Sequence, residues 1–291
     1  MSILITGKFG QLGQSLEKVF KKENEIFSSF GREELDITNL SEVKAVIEKV
    51  MPSTIINTAA YTNVEKAELE PNVCESVNKG GVSNLCNVCE VFDINLIHIS
   101  TDYVFDGKVS KPYKEDDKEN PLNIYGKSKF AGENKIRSSS INSRIIRTSW
   151  LYSEYGNNFV KKIINLARKK SKITVVDDQF GCPTYAGDLA SAILKVKLHM
   201  TDIKKNETYN YSGSPGCSWF EFAEEVISLS MKYNLIKVKP MLVPIQTKQL
   251  KSQLLRPKNT ILDSNAFCKK FSYKIPIWKK SLEVAIKKMA K

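Results

Sequence analysis

Apolar positions in the first hundred residues alternate between two periods. ILIT (3–6), EIFSSF (25–30), TIINTA (54–59) and NLIHIS (95–100) are short apolar runs of strand length. Between them the spacing turns helical: Leu16, Val19 and Phe20 share one face of QSLEKVFKKE, and Val43, Val46, Ile47 and Val50 share one face of SEVKAVIEKV. The second of these segments opens with Ser41 as the expected N-cap, followed by Glu42. A longer helix is expected from about Pro71 to Phe92, and a further strand at SRIIRTSW (143–150).

Strands separated by helices of this length predict βαβ units. The fold class is therefore α/β, a Rossmann-type doubly wound parallel sheet. Beyond Trp150 the pattern loosens into a helix at 157–170, a strand at ITVVDDQ (173–179), a helix at 185–200, short strands such as TYNYSG, and the helix SWFEFAEEVISLS. The expected division is a dinucleotide-binding domain over 1–150, with about 157–171 and 186–200 packing back on it. A smaller α+β substrate-binding domain is expected over about 172–185 and 201–291, closing on the sheet's C-terminal edge.

Composition narrows the function classes. The 291 residues are 42% hydrophobic and 26% charged, ordinary for a water-exposed globular chain. MSILITG runs straight into a strand with no leader pattern, and no apolar run reaches the ~18 residues of a membrane span. A cytoplasmic protein without membrane contact is expected. The net charge of +12 comes from scattered lysine pairs such as Lys21-Lys22, Lys169-Lys170 and Lys279-Lys280, with no basic stripe bearing interleaved aromatics. Solvated helix faces and attraction of an anionic substrate explain it better than nucleic acid. Cys86 and Cys89 form a lone CxxC on a helical stretch with no second pair, so they are expected to be buried thiols, and no metal is expected. Of the two histidines, His98 is expected to be a packed strand residue.

Two motifs carry chemistry. TGKFGQLG places Gly7, Gly10 and Gly13 between the first strand and first helix. Gly7 permits the turn, Gly10 lets the backbone approach a pyrophosphate, and Gly13 lets the helix pack closely, with the helix N-terminus facing the phosphates. No acidic residue occupies 28–32 at the end of the second strand, where one would hold an NAD ribose; Arg32 there suits a 2′-phosphate. NADPH is the expected cofactor, with NADH as the alternative. The second motif is YGKSK, where Tyr125 and Lys129 lie one helical turn apart. A free tyrosine, with a pKa of about 10, is a poor acid near neutrality; a neighbouring ammonium stabilises its phenolate.

Together with HISTDYVFDG (98–107), these motifs resemble the extended short-chain dehydrogenases/reductases, and more narrowly the dTDP-4-dehydrorhamnose reductase family. Matching segments cover almost the whole chain: LDITN (35–39), NTAAYTNVEKAE (57–68), STDYVFDG (100–107), RTSWLY (147–152), VVDDQFGCPTYAGDLA (175–190), CSWFEFA (217–223) and RPKNTILD (256–263). The resemblance implies reduction of a 4-keto dTDP-sugar, dTDP-4-dehydro-6-deoxy-L-mannose, to dTDP-L-rhamnose. It implies that Gly10, Gln11 and Leu12 contact the cofactor phosphates, Asp36 and Ile37 flank the adenine, and Ala60, Tyr61 and Thr62 line the cofactor further along. It also implies that Thr101 binds the keto oxygen beside Asp102, Tyr125 donates the proton with Lys129 as its partner, Trp150 packs on the substrate, and Arg256 holds the diphosphate.

Related families sharpen the reaction type. Nucleotide-sugar 4,6-dehydratases carry a glutamate where this chain has Tyr103, so dehydration lacks its base here. Tyr103 is expected to lie near Tyr125 and to adjust its pKa. UDP-sugar epimerases do not match VFDG. The regulatory subunit of methionine adenosyltransferase, which keeps much of TDYVFDG, implies a non-catalytic binding role instead, and a reductase giving another dTDP-deoxysugar is a further alternative. Trp219 is expected in the core or as a helix anchor, and Asp177 and Asp178 in loop or pocket roles. A homodimer is kept open as the assembly state.

Overall fold

The computed structural model describes residues 2–200, 205–250 and 254–290; positions 201–204 and 251–253 of the expected C-terminal segment lie outside the described residues. Strands β1 (Ile3–Thr6), β2 (Phe27–Phe30), β3 (Thr54–Asn57), β4 (Asn95–Thr101) and β5 (Ser143–Thr148) pair in parallel in the order β2-β1-β3-β4-β5. A sixth strand, Asn206–Asn210, pairs in parallel with β5. The chain leaves β1 for β2 on one side and returns to β3 on the other. That reversal opens a crevice above the C-terminal ends of β1 and β3, where ligands bind in such sheets.

Alternation along each strand feeds two cores. Ile3, Ile5, Ile56, Ile97 and Ile146 face helix α1 (Gln11–Lys22), through Leu12, Leu16 and Phe20, together with Leu189 and Ile193 of helix Ala186–Leu198. Leu4, Ile55, Leu96 and Ile145 face the opposite layer, where α2 (Leu40–Val50) supplies Val43 and Ile47. Helices Val82–Phe92 and Ile124–Arg137 complete that layer. Full burial of each such aliphatic side chain contributes about 1.5–3 kcal/mol. The N-cap of α2 is Asn39, not Ser41: its side chain accepts from the backbone N–H of both Ser41 and Glu42. An asparagine two residues upstream reaches those free donors, whereas Ser41 is already in the first turn.

The packing corrects the expected division in two places. Helix Phe159–Ala167 does not return to the sheet: Val160, Ile163 and Ile164 join Phe222 and Val226 of helix Trp219–Lys232 in a third core. Conversely, TYNYSG belongs to the main sheet, because the ladder of Asn206–Asn210 on β5 carries Tyr209 and Tyr211 into the α1-side core, where Phe267 and Phe271 cover them. Amphipathicity showed that each segment buries a face, but not which core receives it. The third core also holds the parallel pair Lys172–Val176 with Met241–Ile245 and helix Trp278–Met289. Among the described residues, no helix is long and apolar enough to cross a membrane.

Candidate active site

A cavity of about 860 Å³ lies over the C-terminal ends of β1, β3, β4 and β5. Every site residue expected from the sequence lines it except Gly13. Gly7, Gly10, Gln11 and Leu12 form one end, with Arg32, Asp36 and Ile37 beyond them and Ala60, Tyr61 and Thr62 alongside. Thr101, Asp102, Tyr103, Tyr125 and Lys129 form the floor, and Trp150 and Arg256 the far wall.

The glycine loop is built for close approach. Gly7 sits at φ +75°, and a Cβ on Gly13 would stand 2.3 Å from the Gly7 carbonyl oxygen. Gly13 thus acts one layer beneath the cavity, letting α1 seat on the loop. Gly10 caps α1 without a side-chain acceptor, so the first-turn N–H groups lack a side-chain partner and suit an anion. Gln11 ties the loop to the far wall: its Oε1 accepts from Ser153 Oγ at 3.1 Å and Asn158 Nδ2 at 2.8 Å.

At the outer end, the exposed Arg32 lies 3.6 Å from the Asp36 carboxylate. Burial alone would raise the Asp36 pKa, but hydrogen bonds from Thr38 and the Arg32 charge outweigh it, and the carboxyl sits below its ordinary value. Two neighbours escaped the sequence reading. Phe9 covers Gly31, and Glu34 accepts from the Gly31 N–H at 2.8 Å. Glu34 lies beyond the strand end at 28–32, and the turn after β2 brings it back to Gly31.

The floor is held by helix Ile124–Arg137, capped by Asn123, whose side chain accepts from Gly126 N–H at 2.9 Å. Gly126 lets this helix sit on the Tyr103 carbonyl oxygen, which a Cβ would meet at 2.3 Å. Further along, Glu133 receives Arg147 and Arg137, locking the helix to β5. The Tyr103 and Tyr125 rings meet edge to face. Burial pushes the Tyr125 pKa upward, partly offset by the Thr101 hydroxyl. Thr101 Oγ1 donates to Asp102 Oδ1 at 3.0 Å, while Asp102 Oδ2 is buried with no partner. Burial raises Asp102 to about 6, against the nearby Thr260 and Thr101 hydroxyls that lower it.

Lys129 is turned inward. Its Nζ donates to Ile99 O at 2.6 Å and lies 3.3 Å from His98 Nε2, and burial pulls its pKa down to about 8. His98, expected to be a packed strand residue, is buried but touches the site lysine.

At the far wall, Trp150 adopts φ +46° and stacks on Trp219, with centroids 3.5 Å apart and planes within 8°. Trp219 therefore lines the cavity beside Trp150, more than filling core. Arg256 donates to the Tyr103 hydroxyl at 3.4 Å and to Glu65 Oε1 at 3.0 Å. Asp177 and Asp178 brace loops instead, accepting from the hydroxyls of Ser218 and Thr247. Cys86 and Cys89 are buried free thiols.

The sheet order, the glycine loop and the strand-end cavity define an α/β protein of the Rossmann-type class. More narrowly, the chain belongs to the RmlD substrate binding domain family, whose model matches residues 1–291. It is 39% identical, over 284 residues spanning 97% of each chain, to the dTDP-4-dehydrorhamnose reductase of Aggregatibacter actinomycetemcomitans. It is 35% identical, over 91% of this chain and 89% of the other, to a dTDP-4-keto-6-deoxy-D-glucose reductase of Streptomyces niveus. The crystal structure of a Bacillus anthracis dTDP-4-dehydrorhamnose reductase in complex with NADP superposes with a TM-score of 0.89 at 37% identity, covering 98% of each chain.

Proposed function

We propose that this chain reduces the C4 keto group of dTDP-4-dehydro-6-deoxy-L-mannose to dTDP-L-rhamnose, using NADPH. The observation that carries this reading is the single cavity that joins the glycine loop to Tyr125, Lys129 and Thr101. Bound NADPH supplies a hydride to C4. The uncapped first turn of α1, with Gly10, Gln11 and Leu12, holds the pyrophosphate, and Arg32 pairs with the 2′-phosphate. Asp36 and Ile37 flank the adenine, and Ala60, Tyr61 and Thr62 line the path inward.

Tyr125 gives its phenolic proton to the oxygen at C4 as that atom becomes an alkoxide. Lys129, one turn along, holds the nicotinamide ribose and stabilises the phenolate left behind. Thr101 turns its hydroxyl from Asp102 to the substrate oxygen, where the developing charge is greatest. Asp102 Oδ2, unpartnered in the cavity floor, accepts from a sugar hydroxyl. Trp150 gives the substrate a flat apolar wall, and Arg256 pairs with the diphosphate. Tyr103 presents no carboxylate, consistent with reduction over dehydration.

The test follows NADPH absorbance with a panel of dTDP-4-keto sugars and identifies the product by NMR. Oxidation yielding dTDP-L-rhamnose supports the reading. No oxidation with any of them overturns it in favour of a binding role, and a different C4 configuration assigns another deoxysugar, as the name of the Streptomyces relative would suggest.

A further inference from the structure

A buried polar chain runs from the cavity into the sheet. Lys129 Nζ meets His98 Nε2 at 3.3 Å, and His98 Nδ1 meets Asn57 Nδ2 at 3.0 Å. Asn57 Oδ1 in turn accepts from Thr6 Oγ1 at 2.6 Å and from the Ala59 backbone N–H at 3.2 Å. All four side chains are essentially excluded from solvent. The Ala59 N–H, shared between Asn57 Oδ1 at 3.2 Å and Thr6 Oγ1 at 3.3 Å, can only donate, and a flipped amide would set Nδ2 against it, so the Asn57 oxygen faces Ala59 and its nitrogen faces His98. That nitrogen also only donates. His98 Nδ1 must therefore accept, and a neutral imidazole then carries its proton on Nε2, facing Lys129. A protonated Lys129 would oppose two donors there. A neutral amine accepts from Nε2–H while still donating to Ile99 O.

We propose that His98, its tautomer fixed by Asn57, is a positioning residue that presents Nε2–H to Lys129 and favours the neutral amine at that position, setting the alkaline limit of the reaction. This rests on the reading of Lys129 as the partner of Tyr125. The surrounding charges agree. Burial is the largest influence lowering both His98 and Lys129, and the nearby Lys129 disfavours charge on His98 further. Glu133, on the same helix, and Cys74, from the neighbouring helix Pro71–Glu75, act the other way on Lys129. Glu133 is, however, paired with Arg147 and Arg137. With the Lys129 pKa pulled down to about 8 by burial, the alkaline limb of turnover is expected well below the ordinary lysine value.

Two measurements test this. The chain has only two histidines, so NMR of the wild-type protein labelled with 15N-histidine reads the tautomer directly, with His199→Gln assigning the signals. The Nε2–H tautomer of His98, unchanged from about pH 6 to about pH 9, is expected; the Nδ1–H tautomer or an imidazolium overturns the proposal. In the second, Asn57→Asp accepts from Nδ1–H and frees Nε2 to accept from an ammonium, and His98→Gln can turn an oxygen to Lys129. Both should move the alkaline limb of kcat/KM upward, by about one pH unit or more for Asn57→Asp. Folded variants whose kcat falls while the limb stays in place overturn it, since a packing role alone would do that. Lys129→Met separates the two readings: retained turnover refutes Lys129 as partner, whereas its loss with unmoved limbs in the other variants refutes only the His98 role.

Discussion

The rings of Tyr103 and Tyr125 stand edge to face, with centroids 5.7 Å apart and planes at 72°. Gly126 makes the contact possible by letting the helix that carries Tyr125 rest on the Tyr103 backbone. The Tyr103 hydroxyl is meanwhile engaged by Arg256. One tyrosine is thus set against the other from a different segment, and their roles separate by experiment.

Tyr125→Phe keeps the ring packing and removes the acid. Turnover should fall by about 10²–10⁴-fold while NADPH affinity, followed by fluorescence, changes little. Activity close to wild type would remove Tyr125 from its assigned role.

Tyr103→Phe keeps the edge-to-face contact but loses the polar hydroxyl beside Tyr125. Because the neighbouring Tyr103 phenol raises the Tyr125 pKa, its loss should move the Tyr125 limb of the pH–rate profile to lower pH. A superimposable profile would show that Tyr103 does not tune its neighbour.

Burial pushes the Asp102 carboxyl up to about 6 in the folded protein, against about 3.9 in an unfolded chain. Between those values the folded state binds the proton more tightly, so this group's contribution to stability declines as pH rises through the window and levels off above it. Asp102→Asn lacks this titration. Its melting temperature relative to wild type should therefore increase from about pH 4 to about pH 7 and then plateau; a constant difference across that range would contradict the burial account.

Gly181 lies against the Trp150 indole, and a Cβ there would stand 2.4–2.7 Å from ring atoms. Gly181→Ala should displace the indole, raising KM for the dTDP-sugar with NADPH binding unchanged. Equal loss of both affinities would place Trp150 outside the substrate wall.

Arg32→Ala tests the cofactor end. Removing an exposed guanidinium from a 2′-phosphate should weaken NADPH about tenfold or more, at ~1.5–3 kcal/mol for a charge-assisted contact, and leave NADH nearly unaffected. Titration calorimetry with both nucleotides measures the ratio.

Local chemistry in the chain determined much of this protein. Apolar periodicity specifies parallel βαβ units. The spacing of Gly7, Gly10 and Gly13 specifies a phosphate-approaching turn, and the four-residue interval from Tyr125 to Lys129 puts both on one helical side, because each depends only on neighbouring backbone geometry. Tertiary structure decided what depends on distant partners. Helix Phe159–Ala167 could bury its face against either core, and it packs with helix Trp219–Lys232. Asn206–Asn210 became a sheet strand only through its ladder on β5. Trp219 became a cavity wall by stacking on a residue 69 positions away, and His98 became the neighbour of Lys129 because β4 and the helix Ile124–Arg137 pack together. A side chain's type announces what it can bond, but long-range packing chooses the partner, and at this site the partner sets the proton's position.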